Sequence, residues 1–463
     1  MPLPPRHILS KSTFMYGCQC PKRLWLHKYK PALRDEMDEA QQAVFQQGTD
    51  IGKLAEQLFP GGVDARPKDS FSYQQSVADT AKYIAKGHDV IYEAAFQYEG
   101  MLCAVDILVK QNDQWYAYEV KSATSVKPQH IPDAAFQYYV ITHAGLELAD
   151  FSIIHLNNQY IRKGDLNIQE LFAVSSVLED ILLEQDFIHE QGESLKEMLQ
   201  NKNEMPQVEV GDHCEKPYPC DFQGFCFKGI ETDEPDYGEP HINQAAIQAF
   251  VEQIEYPIYH IDFESWSAAV PEYDGHWPYR QVCFQYSVHV ETAAGAEPTH
   301  YAYLAKGTHS SSLEFLESLL SVLGKSGSIL VYNKSFEATR LKELMREHPQ
   351  HTEAVENVLD RMLDLMQPFR KDYRLPEMED SYSIKCVLPA LVPELSYNNL
   401  VIGNGGDAST AFYQLNNTIN PDDVERTRNA LLEYCKMDTW AMVKLLGVLR
   451  GDNKFNQFFN KLK

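Results

Sequence analysis

The sequence has no uninterrupted apolar run of the roughly 20 residues that a helix needs to cross a bilayer. Its opening, MPLPPRHILSKSTF, carries no apolar core behind its charge such as a secretory leader has. The cytoplasm is therefore the expected compartment, with no membrane partner. Positive charge is scarce: 41 lysines and arginines against 66 aspartates and glutamates leave −25 at pH 7. That balance argues against a protein that coats nucleic acid by bulk electrostatics. It leaves room for an enzyme whose acidic residues are gathered for chemistry and which meets phosphates through a local basic strip. Two strips qualify, PKRLWLHKYK at the N-terminus and Arg340, Lys342 and Arg346 on one expected helix. Internal repeats, low-complexity tracts and the tight Cys-x2-Cys knuckles of structural zinc sites are absent as well.

What is present is long and mixed. A chain of 463 residues, 44% apolar and 23% charged, exceeds one ordinary core and predicts two domains. Helical periodicity marks 37–58 and 74–86. VIYEAAF, MLCAVDILVK and QWYAYEVKS then read as strands separated by the turn signals YEG and QND. Residues 131–144 read as helix, FSIIHLN as strand and 167–201 as mostly helix. Acidic, Pro- and Gly-bearing residues 229–245 read as a linker between domains at 1–228 and 246–463. Beyond it, YPIYHIDFES, QVCFQYSVHVE, THYAYLA and SILVY read as strands, with helices at SLEFLESLLSVLG, KSFEATRLKELMREH and VERTRNALLEYCKMDTWAMVKLLGVLR. The alternation predicts an α/β class for both halves.

Nine cysteines in a reducing compartment are expected to be thiols. Cys103, Cys283, Cys386 and Cys435 sit in apolar or mixed stretches and read as small core residues. The rest cluster: Cys18 and Cys20 early, then Cys214, Cys220 and Cys226. The wide C-x5-C-x5-C spacing with a distant fourth cysteine suits a clasp that ties remote chain segments together, through an iron–sulfur cluster or zinc. Either Cys20 or Cys18 could supply the early ligand, and His213 is a further one.

Between the cysteines lies a possible phosphodiesterase site. Asp106 stands mid-strand among apolar neighbours, where a carboxylate is costly unless paired or metal-bound. Glu119 and Lys121 are two apart on the next strand and share a face. Two such carboxylates can hold Mg²⁺ or Mn²⁺, while the lysine orients a water or steadies charge on phosphorus.

With the early CPKRLWL, Glu93 in IYEAAF, and Gln137, this region (about 8–228) resembles the RecB-like branch of the PD-(D/E)XK nucleases. It is closest in pattern to the iron–sulfur members that include CRISPR-associated adaptation nucleases. The resemblance implies a restriction-endonuclease-like fold, a site of Asp106, Glu119, Lys121 and Gln137, and a 4Fe–4S cluster held by Cys20, Cys214, Cys220 and Cys226. Two positions depart from the family pattern. Gly52 occupies the place of a metal-ligand histidine, and QYYVI lacks the tyrosine usually found four residues after Gln137. Glu56 or Glu93 could substitute as a ligand.

The second half gathers acids again. YHIDFES sets Asp262 and Glu264 on one face of a buried strand, Glu337 falls on the first turn of a helix, and Tyr434 and Asp438 lie one turn apart on the last helix. Four carboxylates from three elements can bridge two Mg²⁺ ions about 4 Å apart, with Tyr434 placed to orient a water. Residues 256–448 resemble the DEDD exonucleases of the RNase H-like fold, tyrosine subclass, although the family usually has aspartate where Glu337 stands. The fusion of the two modules is similar to an uncharacterised bacterial family of fused nucleases. It implies metal-dependent 3′–5′ exonuclease cleavage of DNA, at single strands or ends, in repair or defence. Two alternatives stand beside it: a first module that only binds DNA ends, and RNA as substrate.

Overall fold

The computed structural model describes residues 7–36, 39–69, 72–228 and 238–451, the side chains of 39–45 excepted. The chain divides into two compact units, Met1–Glu231 with Ala268–Tyr279, and Thr232–Ser267 with Arg280–Lys463. Both mix helices with a sheet. Of the expected linker, 229–237 lie outside the described residues. The remainder is structured, because His241–Ile242 pairs with Tyr373–Arg374 and a helix begins at Gln244. Among the described residues no helix is long and apolar enough to cross a membrane.

The first unit is built on seven strands: β1 (Leu9–Ser10), β2 (Val63–Asp64), β3 (Val90–Tyr98), β4 (Met101–Gln111), β5 (Gln114–Lys121), β6 (Leu148–Leu156) and β7 (Phe172–Ser176). They lie in the order β2-β3-β4-β5-β6-β7, with β1 paired to β4. Two-residue turns close the β3–β4–β5 meander. Glu99 and Gly100 (φ 42° and 81°) and Asn112 and Asp113 (φ 51° and 60°) all take the left-handed backbone that tight hairpins require. A helix then carries the chain over to β6, which runs parallel to β5.

The helices that matter here are α1 (Lys11–Gln19), α2 (Pro21–Tyr29), α3 (Glu39–Ala55), α4 (Tyr73–Ala85), α5 (His130–His143) and α6 (Gln185–Met198). Ser10 caps α1 in a capping box with Thr13. Fully buried Phe14 packs on Phe136 of α5 with ring centroids 4.6 Å apart, which fixes the start of α1 over the sheet.

Two expectations change. Residues 167–201 are mostly helical as expected, but Phe172–Ser176 within them pairs antiparallel with β6 before the helices resume. Residues 268–279, expected in the second domain, belong to the first unit. Ala269 and Val270 join its apolar cluster, and the Tyr279 hydroxyl donates to the Ser122 carbonyl at 2.6 Å.

The second unit holds β8 (His241–Ile242), β9 (Ile258–Trp266), β10 (Val282–Glu291), β11 (Thr299–Leu304), β12 (Ser328–Val331), β13 (Met362–Asp364) and β14 (Tyr373–Arg374). Its main sheet runs β11-β10-β9-β12-β13, antiparallel through the first three and parallel from β9 onward. Helices α7 (Ser312–Val322), α8 (Lys334–Glu347), α9 (Ile384–Leu391), α10 (Gly405–Gln414) and α11 (Pro421–Arg450) surround it. The thirty-residue α11 is capped by Asn420 and stopped by Gly451 at φ 74°. Its inward stripe includes Leu431, Tyr434, Cys435, Asp438 and Met442, spaced by three and four.

Candidate functional site

Three constellations emerge. In the first unit, β4, β5 and α5 bring Asp106, Glu119, Lys121 and Gln137 together as expected, with Lys11 and Asp133 added. The Lys11 ammonium lies 2.6 Å from Glu119 Oε1 and 3.7 Å from Asp133. Lys121 reaches the same Glu119 oxygen at 2.8 Å and also pairs with Asp133. Gln137 Nε2 donates to the other Glu119 oxygen at 2.9 Å. Glu119 is therefore fully engaged by protein donors. Burial opposes its charge, yet Lys11 and Lys121 outweigh burial and hold its carboxyl far below the usual range. Burial opposes the Lys11 charge too, but Asp133, Glu119 and Asp106 overcome it and raise that lysine well above its ordinary value.

Asp106 accepts from the Val120 main-chain N–H at 2.6 Å. Burial, and then the Glu119 charge, push its pKa well up. Glu93 falls opposite Asp106, between the paired residues Tyr92–Ile107 and Ala94–Val105, at a φ of 53°. A non-glycine residue is rarely held there. Arg66 takes both fallback ligands, with Nη2 2.8 Å from Glu56 and Nε 3.4 Å from Glu93. All these except Asp133, Gln137 and Lys11 line a cleft of about 340 Å³. Gly52 lines it too, and no atom lies within 4 Å of where its Cβ would stand.

The second constellation is the cysteine clasp. Cys20, at the start of α2, lines one cavity with Cys214, Cys220 and Cys226. Cys18 lies outside that lining. His213 lines the cavity, its Nε2 3.7 Å from the Cys214 sulfur. In the basic strip beside Cys20, expected to meet phosphates, Arg23 is engaged within the protein instead. Arg23 is buried, its Nε donates to Asp221 at 2.8 Å, and its guanidinium covers the Tyr16 ring. It binds α2 to the cysteine-bearing loop. Likewise Arg340 of the other strip is half-buried and donates to Glu343 at 2.9 Å.

The third constellation lies in the second unit. Asp262 and Glu264 share one face of β9. After β12 the chain turns sharply at Asn333, φ 80°, whose N–H donates to Asp364 at 3.2 Å. That turn starts α8 and places Glu337 on its first turn, 2% exposed, with Oε2 lacking any hydrogen-bond partner. From α11 come Tyr434, Cys435 and Asp438. Cys435 is fully buried, as expected of a core residue, and its sulfur lies 3.5 Å from Asp262 Oδ2. Among the described residues, Asp262, Glu264 and Cys435 form the one set of three acidic, histidine or cysteine ligand atoms within 4.8 Å of one another.

Electrostatics bind the acids into one group. Burial, then Asp438, Glu264 and Glu337, raise Asp262 well above the ordinary aspartate value. Burial, then Asp438, lifts Glu264 to about 8. Burial, with Asp364 behind it, lifts Glu337 to about 8. Asp438 rises only to about 6, because a hydrogen bond from Tyr397, the Lys385 charge and Tyr434 offset its burial.

Three neighbours lie outside the expected set of site residues. Tyr397, at the start of a 3-10 turn, donates its hydroxyl to Asp438 Oδ1 at 2.7 Å. Lys385 donates to the Gly403 carbonyl at 2.6 Å, with its ammonium 5.5 Å from the centre of the Tyr434 ring. Asp364 ends a strand of three residues, too short for any periodic signal.

The donor set is mainly carboxylate oxygen, buried, mutually repelling and partly unpartnered. That chemistry fits hard divalent cations such as Mg²⁺ and Mn²⁺.

Comparison with known proteins adds little on chemistry. A family described as a domain of unknown function, DUF2779, matches residues 259–383, a span that holds Asp262, Glu264 and Glu337 but ends before Tyr434 and Asp438. Over 223 residues the chain is 28% identical to the uncharacterized protein UU173 of Ureaplasma parvum serovar 3 (strain ATCC 700970). That alignment spans 44% of this chain and 32% of the relative, so the chain spans about a third of the relative's length.

Proposed function

We propose that the chain is a divalent-metal-dependent nuclease whose principal active site is the acidic group Asp262, Glu264, Glu337 and Asp438. The observation that carries this reading is the gathering of three buried carboxylates and the half-buried Asp262, mutually repelling and one with an unpartnered oxygen, at a single site. Such a group is costly unless a cation neutralises it. The sheet supports an RNase H-like fold, since its order β11-β10-β9-β12-β13 puts the acid-bearing β9 at the centre, antiparallel on one side and parallel on the other.

Cations held here would lower the pKa of a bound water and carry charge on the leaving oxygen. The protein's own groups set the geometry. Burial, and then Asp438, keep the Tyr397 and Tyr434 hydroxyls protonated far above the ordinary tyrosine value. They act as hydrogen-bond donors that orient Asp438 and a water, not as bases. Glu264 and Glu337, lifted to about 8, must each release a proton before a cation binds, so loading improves as pH rises through that range.

In the first unit, the seven-stranded sheet and the Asp106–Glu119–Lys121–Gln137 group support a PD-(D/E)XK module. The cysteine-lined cavity supports a metal clasp. Together with the resemblance of its motif, four cysteines around one cavity support a 4Fe–4S cluster as the group they would hold. One observation favours a second reading of this module: Lys11, Lys121 and Gln137 occupy both Glu119 oxygens, as a non-cutting binder of DNA ends would tolerate.

The test compares Asp262→Ala and Asp106→Ala with the unaltered chain on end-labelled DNA and on a matched RNA strand, with Mn²⁺. Loss of cleavage with Asp262→Ala supports the principal site, and the preferred strand decides DNA against RNA. If Asp106→Ala leaves cleavage unchanged, the first module binds without cutting. Full activity in Asp262→Ala would sink the proposal.

A further inference from the structure

Cys435 has no part in the four-carboxylate reading, yet its sulfur belongs to the tightest ligand-like set among the described residues. It is fully buried, one residue after Tyr434 and one helical turn before Asp438 on the inward face of α11. Its Sγ stands 3.5 Å from Asp262 Oδ2 and 3.8 Å from the Asp262 main-chain oxygen. One ligand atom each from Asp262, Glu264 and Cys435 fall within 4.8 Å of one another. A tetrahedral zinc-class ion, with a metal–sulfur bond of about 2.3 Å and a metal–oxygen bond of about 2.1 Å, would hold sulfur and oxygen about 3.6 Å apart. The 3.5 Å separation already matches that spacing. The unpartnered, buried Glu337 Oε2 points to a missing ligand at the same group independently.

We propose that Cys435 is a metal ligand, and that with Asp262 and Glu264 it forms a three-donor site selective for a zinc-class divalent cation (Zn²⁺, Co²⁺ or Cd²⁺). Binding forms a metal–sulfur bond and breaks the S–H bond, the proton passes to solvent, and no redox change occurs. Thiolate is a soft donor that Mg²⁺ shuns and zinc-class ions prefer. A zinc-class ion therefore displaces Mg²⁺ or Mn²⁺ from this position and inhibits hydrolysis. The inhibition rests on the nuclease reading of the site, whereas the binding does not.

The test is Co²⁺ titration of the full chain with its cysteine clasp intact, followed by sulfur-to-cobalt charge-transfer absorption. Subtracting the Cys435→Ser spectrum removes the contribution of the clasp cysteines. The expected difference is a band saturating at one cobalt per chain, abolished by Zn²⁺, with Zn²⁺ affinity at least about tenfold weaker in Cys435→Ser. Asp262→Asn should lose the same band, and it serves as the second variant if Cys435→Ser does not fold. A cobalt spectrum identical in wild type and Cys435→Ser overturns sulfur ligation. If Asp262→Asn alone then weakens cobalt uptake, the four-carboxylate reading stands. If neither variant changes uptake, both readings fall.

Discussion

Replacing Glu337 with glutamine removes a buried charge while keeping the side chain's shape. The carboxyl is 2% exposed and one of its oxygens has no partner. Burial, and then Asp364, lift its pKa from 4.5 to about 8. Because the folded value lies above the unfolded one, the folded chain holds more protons than the unfolded chain between these values. Stability from this group is thus complete below pH 4.5 and lost as pH rises to about 8. The difference corresponds to about 5 kcal/mol at most.

Glu337→Gln lacks that loss. In EDTA at pH 9 it should therefore melt higher than wild type, by about 2–4 °C per kcal/mol for a unit of roughly 200 residues. At pH 4.5 the two should coincide. Saturating Mn²⁺ should reverse the order, because the wild type gains stability from the bound ion and the variant gains far less. The assay is the melting midpoint of each protein across pH 4.5–9, with and without Mn²⁺. Parallel curves in EDTA would refute the electrostatic argument, and equal Mn²⁺ gains would refute Glu337 as a ligand.

Tyr397→Phe removes the hydroxyl that donates to Asp438. Activity should fall about tenfold, as expected for loss of one charge-assisted hydrogen bond. Because that bond holds the Asp438 pKa down, the acid limb of the pH–rate profile should also move upward, and an unmoved limb would argue against the contact. Lys11→Met leaves Glu119 buried with one lysine fewer, which should cost about 3 kcal/mol as read by the first unit's thermal midpoint. Lys121 and Gln137 still hold both Glu119 oxygens in this variant. Arg23→Ala leaves half-buried Asp221 with Arg34 as its one remaining arginine partner and loosens the cysteine-bearing loop. Protease cleavage within 205–228 should accelerate and any cluster absorption near 400 nm should bleach sooner, whereas unchanged cleavage would mean that Arg23 is not the tie.

The regular parts of the fold were legible because their signals are local. Turn residues at Glu99–Gly100 and Asn112–Asp113 mark the meander, and the three-and-four spacing along α11 marks the last helix. The acids were legible because aspartate or glutamate inside an apolar strand needs a reason. What stayed hidden depends on distance along the chain. Lys11 lies 108 positions from Glu119, and Tyr397, at the start of a 3-10 turn, lies 41 positions from Asp438. Nothing in local sequence announces either pairing. Phe172–Ser176 passed for helix because its partner, β6, supplies the hydrogen bonds that make it a strand. Arg23 passed for a phosphate contact because its partner Asp221 comes from the far end of the unit. Cys435 is core as its sequence context suggests, but nothing local shows that its sulfur meets Asp262 across the packing.

The most direct measurement is single-turnover cleavage of an end-labelled single strand by the full chain in Mn²⁺, wild type against Asp438→Asn. A carboxylate group that holds the reacting cations predicts stepwise shortening of the strand by the wild type. With Asp438→Asn, shortening should slow by several orders of magnitude while the fold is retained. Equal cleavage by both proteins, or none by a metal-loaded wild type on either DNA or RNA, would contradict the assignment of this site as a nuclease centre.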